Sequence, residues 1–150
     1  MLKNVPGCIS PDLLRALSSI GHGSKILIAD GNCDINNLGH SNCFRVRADG
    51  HSGAELLEAI LKLIPLDDYI DNPVRCCLTD PGVPAPDCWK DYEKVVAESE
   101  EADKCPNGID YQEGDVFWAL FDQFDLVIAS GEKDLYGNIF LQKGVFRPEK

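Results

Sequence analysis

Gly21-His22-Gly23-Ser24-Lys25-Ile26-Leu27-Ile28-Ala29-Asp30 is the stretch on which the reading of the fold turns. Lys25 to Ala29 is a short apolar run behind a glycine pair, the pattern of a strand buried in a sheet, and it ends in a carboxylate. One strand therefore carries titratable side chains at both of its ends. A lone histidine on a turn is most often a surface residue. Here the glycines on either side let backbone and ligand approach closely, which makes His22 a candidate site residue. Asp30 stands where open α/β sheets place ligands, at the carboxyl end of a strand.

The elements on either side support a sheet covered by helices. Ser10-Pro11-Asp12 supplies a cap, a proline for the first helical position and an acid for the first turn, which predicts a helix to about Ile20. Leu13, Leu14, Leu17 and Ile20 give it one apolar face, and Gly21 ends it. Beyond Asp30, the acids and amides at Asp30, Asn32 and Asp34 imitate a calcium loop. Ile35 stands where that loop needs glycine and no glutamate closes it, so the calcium reading is rejected. Phe44-Arg45-Val46-Arg47 alternates like a strand, and Ser52-Gly53-Ala54-Glu55 is a capping box opening a second helix. That helix buries Leu56, Leu57, Ile60, Leu61 and Ile64. Between the two, Ala48-Asp49-Gly50-His51 reads equally as support for the site and as a solvated turn.

Pro65 stops the second helix. Asp67 and Asp68 follow, and adjacent carboxylates after a helix are usually solvated, so spacing alone does not make Asp67 a general base. Val74-Arg75-Cys76-Cys77-Leu78 is the next strand, and Thr79 to Pro86, with three prolines and a glycine, is a loop. Trp89, Tyr92, Val95 and Val96 fit one helix face. The segment at about 98–115 is acidic with Lys104 as its one cation, which predicts a mobile surface excursion. Asp115 is placed to cap a further helix that points Val116, Phe117, Leu120, Phe121 and Phe124 inward and leaves Trp118 off that face. Leu126-Val127-Ile128-Ala129-Ser130 is a fully apolar strand signal, and Ile139-Phe140-Leu141 with Gly144-Val145-Phe146 closes the chain. The alternation predicts one α/β domain over 1–150, a mainly parallel sheet with helices on both faces.

Composition limits what such a domain binds. At 150 residues and 44% hydrophobic the chain supports a single core. A net charge of −11 opposes nucleic-acid backbones and anionic membranes but does not repel a neutral ligand. There is no run of the roughly 20 apolar residues that a spanning helix needs, and no basic-then-apolar start, so a soluble cytoplasmic protein is expected. Seven cysteines, an odd number without a Cys-x-x-Cys pair, read as free thiols of a reducing compartment. Cys88 and Cys105, which flank the acidic segment, are the pair that oxidation would join.

Taken together, Gly21-His22-Gly23 with Ile28-Ala29-Asp30, Arg47-Ala48-Asp49-Gly50-His51, Leu56-Leu57-Glu58-Ala59-Ile60, Pro65-Leu66-Asp67, Ser130-Gly131-Glu132 and Tyr136-Gly137-Asn138-Ile139 with Lys143-Gly144-Val145 resemble the fucose mutarotase family of eukaryotic type, itself related to the ribose pyranases. The resemblance runs from about Leu2 to Val145 and keeps the motifs in order. It implies an isomerase that interconverts the α and β anomers of a free sugar, L-fucose in the nearest relatives, without cofactor or metal. It also implies a homo-oligomer, dimer to decamer, with sites close to subunit contacts.

Residue by residue, the resemblance places the proton-donating histidine on His22 and a second catalytic acid on Asp67. It places sugar-hydroxyl contacts on Asp30, Tyr136 and Asn138, side chains that suit a neutral polyol. Cys77 falls where relatives hold a residue, often methionine, that touches the sugar. One position departs: where the family has a tyrosine in a Phe-Tyr-Glu motif, this chain has Phe117-Trp118-Ala119. An indole donates a hydrogen bond and stacks on a sugar ring but transfers no proton near neutral pH. Two alternatives to a working mutarotase stay open at this point. One is a sugar-binding protein of the same fold with weakened catalysis, suggested by Trp118; the other is a metal enzyme built on His22, His51, Asp30 and Asp49.

Overall fold

In the computed structural model, which describes residues 1–149, the strands are β1 (Lys25–Ala29), β2 (Phe44–Ala48), β3 (Val74–Cys77), β4 (Asp110–Gln112), β5 (Leu126–Ser130) and β6 (Ile139–Gln142). They form one six-stranded sheet in the order β2-β5-β1-β6-β3-β4. The pairs β1–β5, β2–β5 and β3–β4 are parallel, whereas β6 runs antiparallel to both β1 and β3. Register sets Lys25 opposite Gln142 and Ile28 opposite Ile139. No helix among the described residues is long and apolar enough to cross a membrane.

Side-chain alternation along β1 divides the core between the two faces of the sheet. Ile26 and Ile28 pack with Leu13 and Leu17 of α1 (Pro11–Ser19), Leu56, Leu57 and Ile60 of α2 (Gly53–Leu61), and Trp89 and Tyr92 of α3 (Cys88–Glu98). Leu27 and Ala29 point the other way, to Ile35, Leu38, Phe124 and Phe117 of α4 (Gly114–Trp118). Helices do lie on both faces, with unequal cover: three long helices on one, a short helix and turns on the other. All five residues of β5 are buried, as its unbroken apolar run requires. The caps are those the sequence named: Ser10 accepts from the Leu13 N–H at 3.1 Å and Ser52 from the Glu55 N–H at 3.2 Å.

Three expectations are corrected. The stretch at about 98–115 is not simply a surface excursion, because β4 lies within it and pairs with β3 from Arg75↔Asp110 to Cys77↔Gln112. Buried Cys105 and Ile109, and Tyr111 packed 4.6 Å from Trp89, anchor a segment whose acidity hid its apolar contacts. The helix expected to reach Phe124 stops at Trp118, leaving Val116 and Phe121 exposed, and Asp115 bonds the Val116 N–H instead of capping the helix. Gly144 to Phe146 does not extend β6; Lys143 makes one bridge to Leu66 and the chain then leaves the sheet. All seven cysteines are free thiols, Cys88 and Cys105 among them.

Candidate active site

His22 sits on the turn between α1 and β1. Gly23 takes φ +81° there, a left-handed conformation that glycine adopts without strain, and its N–H donates to the Lys143 carbonyl at 2.8 Å. The end of β6 holds a second partner in place. The Asp67 N–H donates to the Gln142 carbonyl at 3.0 Å, and Gly144 lies so close that a Cβ would come 2.2 Å from the Leu66 carbonyl oxygen. These anchors bring His22 Nε2 to 3.3 Å from Asp67 Oδ1.

Asp67 is 2% exposed, yet its carboxylate is fully served. Oδ1 also accepts the Tyr69 N–H at 3.0 Å, and Oδ2 accepts Gln142 Nε2 at 3.0 Å. Burial pushes the carboxyl up, but the Tyr69 N–H, Gln142 and His22 together outweigh it and hold the group below the usual carboxylate range. An ionised Asp67 accepts only, so the proton between the pair belongs to His22 Nε2, which leaves Nδ1 of the neutral ring as the acceptor nitrogen. The Tyr69 ring lies 5.1 Å from the imidazole, and Arg147 pairs with Asp68 at 2.8 Å while standing 5.9 Å over that tyrosine.

A second polar cluster forms at the other end of β1. The Asp30 N–H donates to Asn138 Oδ1 at 2.8 Å, and Asn138 Nδ2 returns a bond to Asp30 Oδ2 at 3.1 Å. Both residues are buried, and burial holds the Asp30 carboxyl above its usual range against the pull of nearby backbone N–H donors. Tyr136, next to this pair in sequence, has φ +62°, a strained value for a tyrosine. It is held by Trp89 Nε1, which donates to the Tyr136 carbonyl at 3.0 Å, and by Tyr92 Oη, which donates to the Gly137 carbonyl at 2.7 Å. Its own hydroxyl donates to Asp80 at 3.0 Å, which raises the phenol's pKa. At the same end of the sheet Cys77 is buried, its thiol donating to the Leu78 carbonyl at 3.4 Å and raised above its usual range by burial. Trp118 stands edge-on to Phe117, with ring centroids 5.0 Å apart.

The predicted residues thus fall into two groups. His22 and Asp67 flank the start of β1, while Asp30, Asn138, Tyr136, Cys77 and Trp118 gather at the carboxyl ends of β1 and β3. The four steps from Lys25 to Ala29 alone separate them by about 13 Å at the rise of an extended strand. One chain does not bring them into one site, as the sequence reading had supposed. Nor does it assemble the metal quartet: His51 is bound to Glu55 at 3.0 Å, Asp49 to Arg47 at 2.7 Å, and His22 and Asp30 lie at opposite strand ends. Among the described residues one metal-like group exists, Cys88, Glu132 and Asp134. Both of its carboxylates cap helices, Glu132 receiving the Gly53 N–H at 3.2 Å and Asp134 the Cys88 N–H at 3.0 Å. Gln142, Tyr69, Asp80, Trp89 and Tyr92 were not singled out as site residues in the sequence. The only signal for Gln142 was its place beside Lys143-Gly144-Val145.

The RbsD / FucU transport protein family matches residues 3–146. The fucose mutarotase of Mus musculus is 36% identical over 148 residues, 95% of this chain and 94% of that protein. FucU from Bifidobacterium longum superposes with a TM-score of 0.87 at 38% identity, covering 97% of this chain and 100% of that one. The fucose mutarotase of Streptococcus pneumoniae, solved in complex with L-fucose, superposes with a TM-score of 0.84 at 34% identity, covering 97% of this chain and 100% of that one.

Proposed function

The chain belongs to the RbsD / FucU transport protein family, and from that premise we propose that it is an L-fucose mutarotase, with His22 as the proton-transfer group. The observation that carries the reading is the His22–Asp67 pair, an imidazole held at 3.3 Å by a carboxylate that stays ionised.

Ring opening moves one proton from the anomeric hydroxyl O1 to the ring oxygen O5. The C1–O5 bond breaks and C1=O1 forms. O1 and O5 are bonded to the same carbon, so one imidazole nitrogen reaches both. His22 Nδ1 takes the O1 proton, the imidazolium is stabilised by Asp67, and the same proton passes to O5. Rotation about C1–C2 and the reverse sequence close the ring on the other face, giving the other anomer. Asp67, almost fully buried, works through His22 in this scheme and does not itself touch the sugar. No step requires a metal or cofactor.

The polar groups at the far end of the sheet supply the rest of the pocket. Asp30, Asn138 and Tyr136 offer acceptors and donors to sugar hydroxyls, Trp118 an apolar face and Cys77 a contact beside it. A monosaccharide ring is far shorter than the gap between the two groups. We therefore propose a homo-oligomer in which the His22–Asp67 pair of one copy meets the Asp30–Asn138 cluster of the next. Seven free thiols support a cytoplasmic location.

Trp118, standing at the position of the family's tyrosine, favours one alternative, a sugar-binding protein with weakened turnover. Saturation-transfer NMR of L-fucose, with D-ribose as the parallel sample, separates the two readings. Exchange faster than in buffer supports the mutarotase, and binding without faster exchange supports the alternative.

A further inference from the structure

We propose that Gln142 is a positioning residue for this reaction: its side-chain amide fixes the Asp67 carboxylate so that Oδ1 faces His22. The inference rests on the mutarotase reading and adds to it a residue outside the motifs that carried the resemblance.

The geometry begins with β6, the one strand antiparallel to its neighbours. Its last residue lies opposite Lys25, beside the turn that carries His22. From there three consecutive residues tie the two halves of the pair together. Gln142 accepts the Asp67 N–H through its carbonyl and donates Nε2 to Asp67 Oδ2 at 3.0 Å. Lys143 bonds the Gly23 N–H through its carbonyl and sends Nζ to the Leu17 and Ile20 carbonyls at the end of α1, at 2.8 and 2.6 Å. The Gly144 N–H donates to the Pro65 carbonyl at 2.9 Å. The backbone bonds would survive most substitutions. The Gln142 amide is the side-chain contact that bears on the carboxylate itself.

Each Asp67 oxygen has its own partner. Oδ1 is shared by His22 and the Tyr69 N–H, whereas Oδ2 has Gln142 as its side-chain donor. The charged and titratable neighbours do not replace it: Lys143 Nζ is turned to α1, Arg147 is paired with Asp68, and the Tyr69 ring lies against His22. A carboxylate oxygen buried without a donor is costly, so removing the amide favours a protonated or rotated Asp67. Either change weakens its hold on the imidazolium that forms during ring opening.

The test uses Gln142→Met, which keeps length and volume without donors, and Gln142→Asn, which keeps the amide but is one methylene too short. In both variants kcat for fucose anomer exchange falls roughly tenfold with KM near that of the wild type, as expected for a group that acts on the proton-transfer step. A carbon-13 carboxyl titration reads Asp67 independently of activity and shows its midpoint moved up, because the amide that favours the ionised form is gone. An unchanged Asp67 titration in either folded variant overturns the proposal, whatever the catalytic result. A wild-type protein without anomer exchange overturns the mutarotase reading instead, and the titration still decides whether Gln142 sets the state of Asp67.

Discussion

His22 Nε2 and Asp67 Oδ1, 45 residues apart in the chain, stand 3.3 Å from one another because the end of β6 bonds to the segments carrying both. Asp67 is buried and fixed, while the His22 side chain is 46% exposed. The pair thus has a rigid charged base and a ring that reaches solvent. Removing the ring should cost rate without costing the fold. His22→Ala and Asp67→Asn are each expected to slow fucose anomer exchange by roughly 10²- to 10⁴-fold. The histidine variant should keep the wild-type melting temperature within a few degrees, read by circular dichroism.

The depressed pKa of Asp67 gives a stability signature with a definite sign. A carboxyl lowered on folding contributes stability that is complete above its unfolded value of about 3.9 and is lost as pH falls through the lower folded value. Urea denaturation of wild type and Asp67→Asn across pH 7 to 2 should therefore show the wild type ahead near neutrality. The difference should shrink only below the ordinary carboxylate range.

Asp30 should behave in the opposite way. Burial raises it, so its ionised form carries a cost above the raised folded value, and that cost disappears as pH falls through it. Asp30→Asn keeps an oxygen for Asn138 Nδ2 and removes the charge. It is expected to melt at or above the wild-type temperature at pH 7 while binding L-fucose roughly tenfold more weakly, as loss of a charged hydrogen-bond acceptor implies. Differential scanning calorimetry and sugar titration read the two effects on one sample.

Trp118 tests whether the departure from the family tyrosine matters. Its indole is packed edge-on to Phe117, an arrangement suited to holding a sugar face and not to moving a proton. Trp118→Ala should raise KM about tenfold and leave kcat within about threefold, the pattern of lost uniform binding. A kcat loss as deep as that of His22→Ala would give this position a direct part in proton transfer.

The long buried elements were legible because burial writes them into composition. β1 and β5 are unbroken apolar runs, and α1 and α2 carry caps at their first residues. β4 was not legible, since its three residues lie in an acidic stretch and owe their place to pairing with β3. The shortness of α4 was equally hidden: apolar Val116 and Phe121 keep helical spacing with Phe117 and Phe124 yet remain exposed. At the site, the sequence shows the residue types present: carboxylates, an imidazole, an amide and a phenol. What the motif pattern concealed was distance, because His22 and Asp30 belong to one short stretch but lie at opposite ends of a straight strand. Gln142 was invisible for a related reason, since its role depends on which residue β6 ends on.

The division of the site between copies is tested most directly by mixing two variants, His22→Ala and Asp30→Ala, each inactive alone. If the pocket joins His22 of one copy to Asp30 of the next, co-refolding at equal amounts leaves one intact site in each mixed pair. Fucose anomer exchange should then return to about a quarter of the wild-type rate for random pairing of two copies. Exchange that stays at the level of the separate variants, in a mixture shown to contain mixed oligomers, would contradict a site built from two chains.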